Sequence, residues 1–284
     1  MRMCVLFPSD FFDLYAVDPD LRAEYEAVAA NDEFEILLFG YDAWFNESRL
    51  VFDHQPDQKI VAIYRGWMMK PEQYDSFYQQ LLACGIRLIT NPKQYAQMHI
   101  FPNVYPLIQK HTPRIQLFEL HEPIYIEQVK KSFDRFMVKD FVKSVKGTEF
   151  PAFFDQSITQ KQFDHWMKIF YDYRSGLLTG GICIKEFVDL KRYGDRSNEY
   201  RIFYAGRQIV SISRNSGQPA FAPEPPEELI ERYSVLPSPY YTLDVAELND
   251  GSWKILEAGD GGVSGLSDHQ DARAYFHALF HLFA

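Results

Sequence analysis

The sequence holds three cysteines, no apolar run approaching the roughly 20 residues of a membrane span, and fewer basic than acidic residues, 29 against 39. Each shortage removes a class. Cys4, Cys84 and Cys183 are far apart and odd in number, which suits buried reduced thiols better than a disulfide framework or a zinc site. A net charge of -10 argues against a general nucleic-acid binder, whose affinity would rest on Lys and Arg over phosphate. No membrane partner is expected, and MRMCVLFPSDFFDLY runs into polar residues without a signal-peptide cleavage pattern, so the expected location is cytoplasmic. There is no Gly-x-x-x-x-Gly-Lys-Ser/Thr segment and hence no P-loop. The histidines show no HExxH spacing, and His277 and His281, near the end of the chain, lack a carboxylate partner in register. Repeats, heptads and low-complexity segments are absent. The one proline-rich connector, FAPEPPEE at 221–228, is too short to be a flexible linker.

What is present describes an ordinary globular chain, long enough for two or three subdomains and rich in Phe and Tyr that read as core. The first 110 residues alternate in the α/β manner. MCVLF, FEILLFG, KIVAIYRGW and IRLIT read as strands. DPDLRAEYEAVAAN reads as a helix with Leu21, Tyr25 and Val28 on one stripe. PEQYDSFYQQLLACG reads as a second, opened by Pro71 and turning Tyr74, Phe77, Tyr78, Leu81 and Leu82 inward, and Asn91-Pro92 starts a third. This predicts a small open parallel sheet with helices, whose ligands collect beyond the carboxyl ends of strands. Arg65-Gly66-Trp67 falls there. Two readings stand for it, a turn with an exposed Arg and a packing Trp, or an anion site using the planar guanidinium fork.

The second half has a different character. RFMVKDFVKSVKG reads as a strand carrying Lys139 followed by a loop with Lys143 and Lys146, and ITQKQFDHWMKIFYDYR as an amphipathic helix with Phe163, Trp166, Ile169 and Phe170 inward. GGICIKEFVDL is a strand, EYRIFYAGRQIVSISR a hairpin turning near Ala205-Gly206, PEELIERYSVL a helix and DARAYFHALFHLF the terminal helix.

YYTLDVAEL and WKILEAG, joined by Asn249-Asp250-Gly251, carry the sharpest signal. Asp-Gly between β-type runs marks a hairpin, because a tight turn wants residues that tolerate positive φ. Counting outward from a two-residue Asp250-Gly251 loop sets Leu248 opposite Trp253, Glu247 opposite Lys254, Val245 opposite Leu256, and Asp244 opposite Glu257. Directly opposed carboxylates, with Cβ atoms roughly 4.5–5.5 Å apart, destabilise a sheet unless one is protonated or a cation joins them. Ile255 and Trp253 are expected on the same face, which limits solvation, and a bound Mg²⁺ resolves the repulsion most simply. The alternatives are an exposed acidic face or a one-residue slip, which would turn Asp244 to the other side.

In order and spacing these segments resemble the ATP-grasp superfamily. The resemblance covers nearly the whole chain. Tyr64-Arg65-Gly66-Trp67-Met68, Glu199-Tyr200-Arg201 and Glu257-Ala258-Gly259-Asp260-Gly261-Gly262-Val263-Ser264-Gly265-Leu266 are similar to motifs of the clade named for one arginine and two lysines. The resemblance implies an α/β plus α+β architecture: an ATP-grasp fold behind an N-terminal Rossmann-like (pre-ATP-grasp) domain. The expected division is 1–110 and 111–284, the latter with a central lobe of about 130–187 and a C-terminal lobe of about 188–284.

The implied function is a carboxylate–amine ligase that uses ATP and Mg²⁺ and proceeds through an acylphosphate. A kinase and a non-catalytic nucleotide-binding module are the other readings. Carried over residue by residue, Lys139 reaches the nucleotide phosphates, Lys185 is the second lysine, at the hinge, and backbone groups at Glu186, Phe187 and Val188 meet the adenine edge. Glu199 holds ribose hydroxyls, Arg201 points at the phosphates or a transferring oxygen, and Arg214 is a further nucleotide-binding candidate that reads equally as a surface residue. Asp244 and Glu257 bind metal. Asp260 either joins them or shapes the glycine loop, since Gly259 stands where most of the family has a third ligand, Asn. Arg65 and Trp67 would face the cleft and orient the acceptor, whose chemistry is a small-molecule, amino-acid, peptide or protein carboxylate and amine. A homodimer is the default expectation for assembly.

Overall fold

The computed structural model describes residues 3–31, 33–56 and 58–284, so Met1 and Arg2, at the start of the expected N-terminal domain, lie outside it. Strands β1 (Met3–Pro8), β2 (Phe34–Phe39), β3 (Ile60–Tyr64) and β4 (Ile86–Leu88) form a parallel sheet in the order β2-β1-β3-β4. Helices α1 (Arg22–Ala29), α2 (Tyr41–Phe45) and α3 (Pro71–Ala83) follow successive strands, and α4 (Pro92–His99) and α5 (Phe101–Ile108) follow β4. Both faces of β1 are buried, as a parallel sheet covered by helices requires: Met3, Val5 and Phe7 on one side, Cys4 and Leu6 on the other.

Three local readings need correction. The helix expected from Asp18 begins as a 3₁₀ turn, Pro19–Leu21, and becomes α-helical only at Arg22. Leu82, expected inward on α3, is 40% exposed, because the buried stripe runs through Tyr74, Phe77 and Leu81. Helix α5 was not anticipated. Its sequence FPNVYPLI carries Pro102 in its first turn and Pro106 inside, which masks the helical signal.

The second sheet has the order β5-β8-β6-β7, from β5 (Ile115–Phe118), β6 (Arg135–Asp140), β7 (Phe154–Asp155) and β8 (Ile182–Glu186), all antiparallel. Helices α6 (Ile126–Ser132) and α7 (Gln160–Arg174) cover one face, where Phe136, Val138, Ile182 and Ile184 meet Phe163, Met167 and Phe170. Strand β5 escaped the sequence reading because none of its four residues is buried and no alternation shows. Period 2 then sends Lys139, Cys183 and Lys185 to the other face, where they are buried against Phe101 and its neighbours.

A short pair, β9 (Arg192–Tyr193) and β10 (Arg196–Ser197), precedes the third sheet. That sheet runs β12-β11-β13-β14, from β11 (Glu199–Ala205), β12 (Gln208–Arg214), β13 (Tyr240–Glu247) and β14 (Trp253–Asp260), with α8 (Glu227–Arg232) between β12 and β13. One face, with Ile202, Tyr204, Tyr241, Leu243 and Val245, packs on Met98, Phe101 and Val104 of α4 and α5. The last helix, α9 (Ala272–Phe283), returns to the parallel sheet, where Tyr275, Phe276 and Leu279 join Met3, Val5 and Phe7 in one core with Phe203 and Tyr240.

Candidate active site

The site begins at the β13–β14 hairpin. Its loop has three residues, Asn249-Asp250-Gly251, closed by Leu248 N–H to Ser252 O at 2.7 Å and Gly251 N–H to Leu248 O at 2.9 Å, with Gly251 at φ 82°. A type I turn capped by a left-handed residue has this form, and it shifts the first pairs by one: Glu247 faces Trp253 and Val245 faces Ile255. A bulge between Asp244 and Val245 then absorbs Leu256 and restores Asp244 opposite Glu257. The expected carboxylate pair is there, by a different route. The bulge also turns Glu257 away from the face that Ile255 shares with Val245, so the pair opens to the cleft and not to the core.

Each carboxylate has a cation. Arg201, directly opposite Asp244 on β11, makes a two-pronged contact, Nε to Oδ1 at 2.8 Å and Nη2 to Oδ2 at 2.7 Å. Its Nη1 donates to Gly265 O at 3.1 Å, which draws the glycine loop over the site. Glu257 receives Lys139 Nζ at 3.3 Å from the second sheet. Burial alone would raise the Glu257 carboxyl, but Lys139, Lys143, Lys185 and Lys146 outweigh it and hold it at about 2. Arg201 has its pKa raised, since the Asp244 contact and charge outweigh burial.

Lys185 lies beside Lys139 on the same face and donates to the Leu256 carbonyl. The Phe101 ring lies beneath both ammoniums, 4.2 Å from Lys185 Nζ and 5.2 Å from Lys139 Nζ. Burial first, and then Lys139, lower the Lys185 ammonium to about 7. Lys143, from the loop after β6, is also lowered, chiefly by burial. A cavity of about 210 Å³ is lined by Lys143, Arg201, Asp244, Glu257, Thr242 and His99 among others.

His99 had no signal in the sequence. It ends α4, stacks on Tyr95 at 4.8 Å, and is held neutral, lowered to about 3 by burial and by Lys143 and Lys139. Phe101 was equally silent, because its role depends on two lysines brought from another sheet.

Other expected residues fall elsewhere. Arg65 does not face the cleft: it is buried at 2% exposure, with Nε and Nη2 on the two oxygens of Glu24 at 2.7 Å each and Nη1 on Tyr240 Oη and Gly261 O. It joins the parallel sheet to the third sheet, while Trp67 donates Nε1 to Asp18 at 2.7 Å. Asp260 pairs with Tyr241 and lies on the face opposite Asp244 and Glu257, so it is not brought to them. Its Oδ1 accepts Gly262 N–H at 2.8 Å, which shapes the glycine loop. Glu199 shares the Arg201 face but accepts from Ser197, and Arg214 pairs with Tyr200 on the other face. Glu186 is held by Arg114, its N–H and the Phe187 N–H are donated to Arg114 O and Arg135 O at 2.9 Å, and Val188 lies past the last paired residue.

Two lysines of one sheet thus meet an Arg–Asp–Glu group of another. The chain matches the profile described as ATP-grasp domain, R2K clade family 3, over residues 129–279, more than half its length. It belongs to the ATP-grasp R2K clade. The ATP-grasp match spans β6, β7 and β8 of the second sheet, the whole third sheet and most of α9. A search of the curated proteins finds no match. Among solved structures, the fold is shared with the ATP-grasp ligase PsnB complexed with minimal precursor, at 12% identity and TM-score 0.61, over 99% of this chain and 100% of that one. It is shared likewise with D-alanine–D-alanine ligase from Bacillus anthracis complexed with ATP, at 13% identity and TM-score 0.60, over 99% and 97% of the two chains. The ligase of that name from Coxiella burnetii aligns at 9% identity and TM-score 0.64, over 99% and 93%.

Proposed function

We propose that the protein is an ATP- and Mg²⁺-dependent carboxylate–amine ligase that proceeds through an acylphosphate and releases ADP. The observation that carries this is the opposed pair Asp244 and Glu257, each engaged by a cation, Arg201 or Lys139. Such a group can bind a metal–phosphate ligand with little rearrangement, the carboxylates taking the metal and the cations the phosphate oxygens. The fit to Mg²⁺ rests on the donors: the two carboxylate side chains are 24% and 34% exposed, face one cavity, and are the hard oxygen ligands such an ion takes. Bound there, Mg²⁺ would offset charge on the phosphoryl group in transfer.

Lys139, Lys185 and Arg201 bind phosphate oxygens in this reading, and Glu186, Phe187 and Val188 border the adenine. Glu199 would hold the ribose. Arg214, on the opposite sheet face, and Asp260, turned from the pair, receive no support. His99 and Met68 line the cavity beside Glu257 and border the acceptor's side. A division at about residue 110 is supported by the separate sheets on either side, and central and C-terminal lobes of about 130–187 and 188–284 follow the second and third sheets, although β5 precedes the first boundary. Amino-acid, peptide or protein termini are the proposed acceptors, consistent with what the similar ligases are complexed with or named for.

Calorimetry with ATP, with and without Mg²⁺, tests the site. The Asp244→Asn, Glu257→Gln double variant is expected to lose Mg-dependent affinity by at least about 30-fold, the low end for truncating one side of a hydrogen-bonded charge pair. Equal affinity in wild type and variant would sink the assignment. Incubation with Mg-ATP and pooled amino acids and peptides should release ADP and phosphate together, whereas a kinase would keep the phosphate on its product.

A further inference from the structure

A second cluster lies outside the cleft. Among the described residues, Glu33, His277 and His281 are the one group of three metal-ligating side chains whose ligand atoms lie within 4.8 Å of one another. His277 and His281 stand one turn apart on α9, so their rings share a face, with the two Nε2 atoms 3.2 Å apart. A histidine gives one ion a single ring nitrogen, and for His277 the one on the carboxylate's side is Nδ1. The carboxylate that the helix itself lacks comes from 244 residues away: Glu33 Oε2 is 3.1 Å from His277 Nδ1, and its Oε1 is 3.7 Å from His281 Nε2.

The surroundings hold this geometry. Asn31 Nδ2 donates to Glu33 Oε2 at 2.8 Å, and Glu33 N–H donates back to Asn31 Oδ1 at 3.0 Å, which orients the carboxylate. The next residue, Phe34, packs edge-on against Phe276 and Phe280 of α9, fixing the helix beside the turn. The imidazoles remain 59% and 61% exposed, so an ion has an entry path and water can complete its coordination.

We propose that Glu33, His277 and His281 bind a divalent transition-metal ion of the zinc class, which ties α9 to the turn before β2. Two imidazoles and one carboxylate suit Zn²⁺ or Co²⁺ better than Mg²⁺, which prefers oxygen ligands. The ion staples the last helix to the first sheet through a contact that hydrophobic packing alone leaves at the surface. This inference does not depend on the ligase reading.

The test uses full-length protein without a histidine tag. Zn²⁺ competition against a chromophoric chelator should show one ion per chain, and each of His277→Asn, His281→Asn and Glu33→Gln should weaken binding by at least about 10-fold, the low end of what losing an outer-shell partner costs. Zn²⁺ should raise the melting temperature of wild type and not of the double histidine variant. Co²⁺ added to wild type should give visible absorption of a tetrahedral nitrogen–oxygen site, a readout that needs no variant. Failure to bind Zn²⁺ at micromolar concentration, or undiminished binding by the double histidine variant with the ion held at Asp244 and Glu257, would overturn the proposal.

Discussion

Replacing Lys185 with Met should stabilise the ligand-free protein while weakening its hold on nucleotide. Burial and the neighbouring Lys139 lower the Lys185 ammonium from 10.5 to about 7, although Glu257 pulls the other way. At about 1.36 kcal/mol per pH unit, that drop sets a ceiling of about 5 kcal/mol on the stability lost by keeping this lysine charged inside the fold. Met preserves much of the stem but gives up two compensations. The Leu256 carbonyl loses its donor, roughly 1–3 kcal/mol, and the ammonium no longer sits 4.2 Å from the Phe101 ring, about 0.5–2 kcal/mol.

The net expectation is a gain of about 0–3 kcal/mol at pH 6, a rise of up to roughly 10 °C in melting temperature for a chain of this size. The pH dependence has a definite sign. Between about 7 and 10.5 the unfolded chain carries a proton on Lys185 that the folded chain has released, so wild-type stability rises with pH across that window. The advantage of the variant must shrink accordingly. Urea denaturation at pH 6 and pH 9.5 measures both values, and calorimetry with Mg-ATP should show at least about a tenfold loss of affinity. A variant that is less stable than wild type at pH 6, or whose advantage does not shrink by pH 9.5, refutes the reasoning.

Arg65→Ala should cost about 3–5 kcal/mol in urea denaturation, because Glu24 is left buried without its partner; a KM effect at unchanged stability would instead return Arg65 to the acceptor. Burial lifts the Asp260 carboxyl to about 7, against the Gly262 N–H and Arg65. Between about 4 and 7 the folded chain therefore holds a proton that the unfolded chain has released, and stability falls as pH rises through that window. Asp260→Asn is expected to raise the melting temperature at pH 8, with the gain fading toward pH 4 and Mg-ATP affinity unchanged; a tenfold loss of affinity would place Asp260 back at the metal. A Cβ on Gly262 would stand 2.7 Å from the Tyr64 carbonyl oxygen, a backbone atom, so Gly262→Ala should destabilise by about 1–3 kcal/mol, and a neutral urea midpoint would show that this seam yields freely.

Most strands and the long helices were legible because period 2, period 3.6 and cap residues are local. The parallel first sheet, the lysine strand β6 and the Asp-Gly hairpin are of this kind. Helix α5 and strand β5 were not, since Pro106 breaks one pattern and the lack of burial erases the other. The opposition of Asp244 and Glu257 was read from a two-residue loop, whereas a three-residue loop and a compensating bulge produce it. A bulge leaves no fixed residue signature, so only the folded hairpin shows which face Glu257 takes.

The sequence by itself determined most of the elements, the family motifs and the presence of two lysines and two carboxylates in an order that implies a nucleotide cleft. The tertiary structure decided which charges meet. Arg65, read as facing the cleft, is taken up by Glu24, 41 residues away, and His277 finds its carboxylate 244 residues away. His99 and Phe101 join the site because α4 and α5 pack under the third sheet. Propensity and periodicity act over a few residues, while the pairing of buried charges is set by desolvation and distance in space, and these exist only after the sheets have packed.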